Sequence, residues 1–364
     1  MGSYKNQHFV PRCYLRAFSH QRVGLAINLF NLDRRRAINN APLKGQCSGD
    51  YFYGEDLVVE RALQAFEGQY ATMLAEIVRP GYRLTAQHRK QLTEFCCLQY
   101  MRTEAASRRA VAAIDEINDD VGMTDAAFRM TIREAVQTAM SLFLEVRHAM
   151  VDLKVCLVRN QTPLPFITSD DPSVLTNRWY QQDARARGTA PGLGSAGALL
   201  LLPLSPDLLC LVYDGGVYAV PNSYGWVIAD RVDDIAAYNE HQFLNAFANV
   251  YFQDWGSRIQ LSAAFTAVAD RRPAARHRIN HAIFDREENG QRIFRGVDAA
   301  EARLHETSLV HQEAIFPIPT RWPRHIGWRP DGVVYSNGSG AGYSRRATIP
   351  SDGGDYRRLR SRRR

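Results

Sequence analysis

The sequence predicts an α+β protein: an N-terminal strand segment, a three-helix bundle-like region, then a mostly antiparallel sheet with one further helix. Three observations predict it. An alternating apolar run near the start has strand periodicity, and three long stretches between residues 55 and 150 have helical periodicity. The apolar runs between 151 and 214 are short and bounded by turn residues. Helices and strands are therefore grouped, without the regular alternation of β-α-β units and without an internal repeat.

The elements follow in chain order. In NQHFVPRCYLRAFS, residues 6–19, Pro11 is suited to start a short helix whose buried face carries Tyr14, Leu15 and Phe18. GLAINLFNLD, Gly24 to Asp33, alternates as a strand, and residues 37–54 read as loop with short extended pieces. An amphipathic helix is predicted from Glu55 to about Val78, stopped by Pro80-Gly81. Thr85 is a good N-cap for a second helix to about Asp119, and a third spans roughly Thr124 to Met150. VDLKVCLV and LPFITS then read as strands, as do ALLLLPL and DLLCLVYD, and a helix returns from Val232 to Tyr251. One α+β domain is expected over residues 1–330. A mobile basic tail is expected over 331–364, where apolar residues are few.

At 364 residues, 45% of them hydrophobic and 23% charged, the composition is that of a globular chain with a sizeable core. The longest apolar run, AGALLLLPL, is too short to cross a bilayer, so no membrane partner is expected. MGSYKNQHFVP lacks the apolar block of a secretory signal, and the expectation is a cytoplasmic protein. The six cysteines are scattered, without a CxxC pair or zinc-type spacing, and read as small buried hydrophobes. The net charge of +7 is concentrated: Gly340 to Arg364 holds eight arginines against Asp352 and Asp355, or +6 of the total. That tail is a candidate contact for nucleic acid, with a solvated end as the competing reading.

Polar residues interrupt the apolar helical faces. Glu60 and Glu67 lie on the line of Leu63, Tyr70, Leu74 and Ile77. Their separation of about 10 Å along the axis is too great for both to chelate one metal. Gln99 lies on the inner face of the second helix with Arg102 three residues on, and Asn239 lies among Ile235, Phe243, Ala246 and Val250. Such groups cost several kcal/mol on a core face unless paired. They form either a satisfied internal network, with Arg102 bridging Glu60 or Glu67, or the polar walls of a ligand pocket.

The sharpest local motif is FITSDDPSV, Phe166 to Val174, a strand ending in Ser169-Asp170-Asp171-Pro172. Pro172 biases Asp171 away from helical geometry, and Asp170 emerges at a rigid strand end. There it could hold a divalent metal, magnesium or manganese, or act as a base; an Asx turn is the alternative. His8 could move a proton near neutral pH, or be structural.

These pieces together resemble the uncharacterised, mainly bacterial family called domain of unknown function 4238. The matching segments are HFVPRCYLRAFS, VVERALQAFEGQYATML, LQYMRT, FITSDDPSV, LLPLSPDLL and Asn239, spanning about residues 6–255. The turn is often SDNP in that family, whereas this chain has Asp171. The resemblance supplies no reaction. It implies that His8, Glu60, Glu67, Gln99, Arg102, Asp170 and Asn239 are the positions to watch.

The preferred functional expectation is a hydrolase with nuclease-like activity. His8, Glu60, Glu67 and Asp170 would be the catalytic candidates, with Gln99, Arg102 and Asn239 binding ligand. The alternative is a non-catalytic module binding a small ligand or nucleic acid. The chain has no GxxxxGK[ST] or GxSxG motif, which argues against P-loop and serine-elbow chemistry; its GxGxxG, Gly192 to Gly197, runs into a predicted strand rather than opening a helix and so lacks the context of a dinucleotide fingerprint.

Overall fold

The computed structural model describes residues 5–187, 189, 191–288, 291–305, 308–340, 342–350 and 355–361. The N-terminal strand β1 (Asn6–His8) leads into α1 (Arg12–Leu15), on which Tyr14, Leu15 and then Phe18 are fully buried. Strands β2 (Ala26–Asn31), β3 (Arg36–Pro42) and β4 (Ser48–Asp50) follow, β4 pairing back onto β1. Four helices come next: α2 (Val58–Ile77), α3 (Ala86–Met101), α4 (Glu104–Asp120) and α5 (Ile132–Val146).

The helix expected over 85–119 is two helices. Thr85 caps the first through the His88 N–H, and Thr103, extended in backbone, takes the Ala106 N–H and starts the second. The break turns Arg102 and Thr103 toward different parts of the molecule. A capping box between Thr131 and Glu134 opens α5.

The second half contributes β5 (Lys154–Asn160), β6 (Thr168–Ser169), β7 (Val174–Thr176), α6 (Arg178–Gln182), β8 (Leu199–Ser205) and β9 (Leu208–Tyr213). After β10 (Tyr218–Ala219) come β11 (Trp226–Ala229), α7 (Val232–Asn245), β12 (Asn249–Phe252) and α8 (Arg258–Thr266). Strands β13 (His277–Glu288), β14 (Gln291–Val297) and, after α9 (Ala299–Ala302), β15 (Ser308–Ala314) make a three-stranded antiparallel sheet. His277 and His281 of β13 bond Glu116 and Asp120, which fastens that sheet to α4.

The central sheet has the order β11-β5-β9-β8-β7 and is antiparallel except where β11 joins β5. Its strands read as continuous apolar runs because both faces are covered. Leu200, Leu202, Cys210 and Val212 face a core shared with Leu92 and Cys96 of α3. The alternate residues Leu199, Leu201, Leu209 and Leu211 face a second core with Ile235 and Tyr238 of α7. The fold is therefore α+β, as expected.

A second sheet, β3-β2-β12-β6, is antiparallel throughout. Its strand β12 falls where the sequence predicted the last turn of a helix. Ala246 leaves the helical region (φ −50°, ψ 141°), and the chain then lies between β2 and β6. The stretch 37–54, expected as loop with short extended pieces, contains β4 and most of β3, and five of the seven residues of β3 are exposed, so no apolar alternation marks it.

The expected mobile tail is described in part, and that part is packed. Beyond β16 (Gly327–Trp328), β17 (Val333–Ser336) pairs with β18 (Arg357–Arg360). Arg345 is 3% exposed and bonds Asp152, and the Ser361 carbonyl accepts from the Trp179 indole N–H. These contacts anchor the segment through backbone groups and one arginine, which composition does not register. Residues 351–354 and the terminal Arg362 to Arg364 lie outside the described residues. All six cysteines are free. Among the described residues no helix is long and apolar enough to cross a membrane.

Candidate functional site

Arg102, the C-terminal cap of α3, is fully buried and holds three elements together. Its Nε donates to the Tyr53 hydroxyl at 2.9 Å, and its Nη2 donates to the His8 carbonyl at 2.8 Å and to Glu67 Oε1 at 3.0 Å. The Tyr53 hydroxyl donates to the same His8 carbonyl at 3.2 Å. His8 thus joins this cluster through its backbone. Its ring faces Lys44, whose carbonyl lies 3.2 Å from Nε2. Burial, helped by the positive charge of Arg12, lowers the imidazole to about 4, so the ring is neutral at pH 7. Glu60 is raised above the ordinary carboxylate range, first by burial and then by Glu67. Gln99 is fully buried, and neither atom of its side-chain amide has a partner; Nη1 of Arg102 is also buried and unpartnered.

The Ser169-Asp170-Asp171-Pro172 turn is held by a different set of groups. Asp170 Oδ1 accepts from Phe247 N at 2.8 Å, and Oδ2 accepts from Ala248 N and Asn249 N at 2.7 and 2.8 Å. Burial nevertheless raises this carboxyl to about 6, against the pull of those three amides. Asp171 is buried more deeply. Its Oδ1 accepts from Thr103 Oγ1 at 2.8 Å, and its Oδ2 from Arg109 Nη1 at 2.5 Å and Asn245 Nδ2 at 2.9 Å.

One face of α7 reads the backbone leading into this turn. Asn239 donates to the Pro165 carbonyl and accepts from Ile167 N. Gln242 donates to the Pro172 carbonyl and accepts from Ser169 Oγ, and Asn245 donates to the Asp171 carbonyl. Three amides at three-residue intervals face one strand-turn and satisfy its backbone where no neighbouring strand does.

Beyond Asp171 the surface opens. Arg109, Asn245, Arg276 and His277 form the common wall of two adjoining hollows. One, of about 230 Å³, is closed by Tyr100, Leu175, Ile315 and Phe316. The other, of about 460 Å³, adds Arg108, Phe247 and Arg272. Arg276 Nη2 donates to Asn245 Oδ1 at 2.8 Å and Nη1 to the Leu244 carbonyl at 3.4 Å, while its Nε is buried without a partner. Arg272 Nη2 donates to the Ala246 and Phe247 carbonyls. Both arginines therefore bond the C-terminal turn of α7, which offers only partial negative charge, rather than a carboxylate. Burial and then the neighbouring Arg109 lower Arg276 to about 10.

Comparison with known proteins supplies a family and no activity. Residues 6–255 match the family described as "Protein of unknown function (DUF4238)". The chain belongs to the DUF4238 family. No curated protein and no solved structure matches it.

In this DUF4238 chain the seven expected positions fall into separate groups. Glu67, Arg102 and the His8 backbone meet directly, with Glu60 within electrostatic reach. Asp170 and Asn239 lie on the other side of the α3–α4 break, on the turn and the helix that supports it. The His8 ring and the Asp170 carboxylate have no partner in common. Sequence reasoning missed Arg109, Asn245, Arg272 and Arg276. Of these, Asn245 carried a signal, its six-residue offset from Asn239. Arg272 and Arg276 lie beyond the family match, in a stretch without periodicity.

The donor set around Asp170 does not suit magnesium or manganese. Three N–H groups converge on the carboxylate, and a cradle of N–H donors attracts anions, not cations. Among the described residues no three His, Cys, Asp or Glu side chains are grouped to hold a metal.

Proposed function

We propose that this DUF4238 chain binds a small anionic ligand, a phosphate ester or carboxylate attached to an apolar body, in the cleft walled by Arg109 and Arg276. The observation that carries this reading is the buried, unpartnered Nε of Arg276 beside the Arg109 guanidinium. Two guanidinium groups in low dielectric have one carboxylate near them, Asp171, and of the two only Arg109 bonds it. An anion entering the cleft would relieve that imbalance, and a guanidinium fork matches phosphate or carboxylate oxygens in two-point contacts. The side lined by Tyr100, Leu175, Ile315 and Phe316 suits an apolar or planar body. Asp171, Thr103 and Asn245 would position the arginines, without touching the ligand's reacting atoms.

A nuclease-like hydrolase is the second reading. It is favoured by Asp170, whose carboxyl lies at about 6 and whose charge reaches Arg109 and Arg272. Its three amide partners give it a positioning task, so ligand binding is carried further by the geometry. Nucleic acid would reach the same arginines through its phosphates.

The test is calorimetric titration of the whole protein with inorganic phosphate, adenosine monophosphate and benzoate at low salt. RNA and single-stranded DNA are incubated alongside, with and without magnesium or manganese. Binding that is lost in Arg276→Ala, with no cleavage, supports the binding reading. Cleavage abolished by Asp170→Ala in a folded variant supports the hydrolase. If neither binding nor cleavage occurs, the cleft is scaffolding for the end of α7.

A further inference from the structure

A cavity of about 320 Å³ lies between α7, α8 and the segment leading into β6, on the face of α7 that adjoins its amide-bearing face and shares Asn239 with it. Its wall is apolar: Leu164, Ile167, Phe243, Phe252, Leu261 and Val268. Small residues make the space, Ala236 on α7 and Ala264 on α8. Ser257, Gln260, Thr320 and Arg321 also line it, Gln260 and Arg321 at the exposed rim with Arg321 paired to Asp233, while the two buried polar residues of the wall are engaged within the chain. Asn239 is bonded to the Pro165 carbonyl and Ile167 N, and Glu240 accepts from the Thr320 backbone N–H and hydroxyl.

We infer that this cavity is a binding site for a neutral apolar small molecule, an aromatic or short hydrocarbon body of up to about two rings. The size follows from volume, since a buried cavity of ~150 Å³ lined by aliphatic and aromatic side chains holds benzene. The polarity follows from the wall. A polar group placed in the buried part of the cavity would lose its water without gaining hydrogen bonds, because Asn239 and Glu240 have theirs and Gln260 and Arg321 stand at the exposed rim. An apolar ligand loses nothing of that kind and removes its own surface and the wall's from water. The site shares no lining residue with the Arg109–Arg276 cleft and is independent of the function proposed for that cleft.

The test measures thermal unfolding and titration calorimetry of the full chain with naphthalene and with its charged counterpart, naphthalene-2-sulfonate. Two variants fill the cavity, Ala236→Phe and Ala264→Phe; the second starts from an exposed side chain, so it keeps the test open if the first fails to fold. Naphthalene is expected to raise Tm and to bind with a negative heat-capacity change. Affinity should fall about tenfold or more in the filled variants, and the sulfonate should bind more weakly there. Arg276→Ala should leave naphthalene binding unchanged. The proposal is overturned if naphthalene gives no shift, or if the filled variants bind it as well as the parent. It is also overturned if sedimentation shows a dimer that the filled variants abolish, since the apolar wall would then be a self-interface.

Discussion

The Thr103 hydroxyl donates to Asp171 Oδ1 at 2.8 Å while accepting the Ala106 N–H at 3.1 Å, so one oxygen both opens α4 and fixes a fully buried carboxylate. The two tasks are separable by substitution. Thr103→Ala removes an N-cap, worth ~1 kcal/mol, and leaves the buried carboxylate short of one donor, costing a further ~1–3 kcal/mol. Thr103→Ser retains the oxygen and should stay within about 1 kcal/mol of the parent. Urea unfolding of the three proteins checks this; equal losses in both variants would mean that the threonine methyl group, not its hydroxyl, matters.

Asp171 also sets the charge of the cleft. Its side chain is fully buried while that of Arg109 is 24% exposed, so the carboxylate fixes one end of a guanidinium that reaches solvent with the other. Asp171→Asn keeps an oxygen for Thr103 and removes the negative charge. Breaking a buried pair costs ~3–5 kcal/mol, and the retained hydrogen bonds place this variant near the lower end. Phosphate affinity should move the other way, rising about tenfold as Arg109 loses its competing anion. Calorimetric titration decides: unchanged affinity in a folded Asp171→Asn protein would remove Arg109 from the ligand's contacts.

Much of this architecture was legible in the sequence, and the reasons for the rest are physical. Glu67 and Arg102 stood out because a charge on an apolar helical stripe demands a partner, and each is the other's. Asp170 stood out because proline fixes the turn that displays it. Thr103 was hidden because residues 85–119 keep a helical period across the break; only a cap geometry, invisible in periodicity, divides them. Periodicity places Asn249 to Tyr251 in a helix because Val250 continues the spacing of Phe243, while their pairing with β2 and β6 is a long-range contact. Arg272 and Arg276 have no local signature at all. Their positions follow from where the chain runs past the end of α7.

The pH dependence of stability offers a test of the buried titrating groups. Burial lowers His241 to about 3 and His325 to about 4, below the ordinary 6.5. Burial raises Asp170 to about 6 from the ordinary 3.8. Between pH 6 and 4 the unfolded chain binds protons at both histidines while the folded chain does not, so stability falls on acidification. Asp170 acts oppositely, taking up its proton in the folded state, so stability from this group is gained as pH falls through 6 and is complete below 3.8. Two protons against one leave a net loss of about 1.4 kcal/mol per pH unit from these three groups, and the half-buried His8, lowered to about 4, adds to it in the same direction. In Asp170→Asn the opposing term is gone, and the slope should steepen by about 1.4 kcal/mol per unit. Chemical denaturation at intervals from pH 6.5 to 4.5 measures both slopes, and identical slopes would place the Asp170 carboxyl near its ordinary value.

Arg102 separates scaffold from site most directly. Its bonds to Tyr53, to the His8 carbonyl and to Glu67 tie β1 and α2 to the end of α3. Arg102→Ala leaves the buried Tyr53 hydroxyl and Glu67, whose side chain is 25% exposed, without their cation, and the expected loss is ~3 kcal/mol, the lower end for a broken buried pair. Arg102→Lys keeps the charge but cannot reproduce the planar fork that meets three partners at once, so it should recover only part of that loss. Neither change alters the Arg109–Arg276 wall, whose side chains are held by Asp171 and the end of α7. Phosphate affinity, measured at a temperature where both variants are folded, is therefore expected to remain within about threefold of the parent. A loss of binding well beyond that in a folded Arg102→Lys protein would show that the ligand reaches the α2–α3 cluster, and would move Gln99 and Arg102 from scaffold to binding surface.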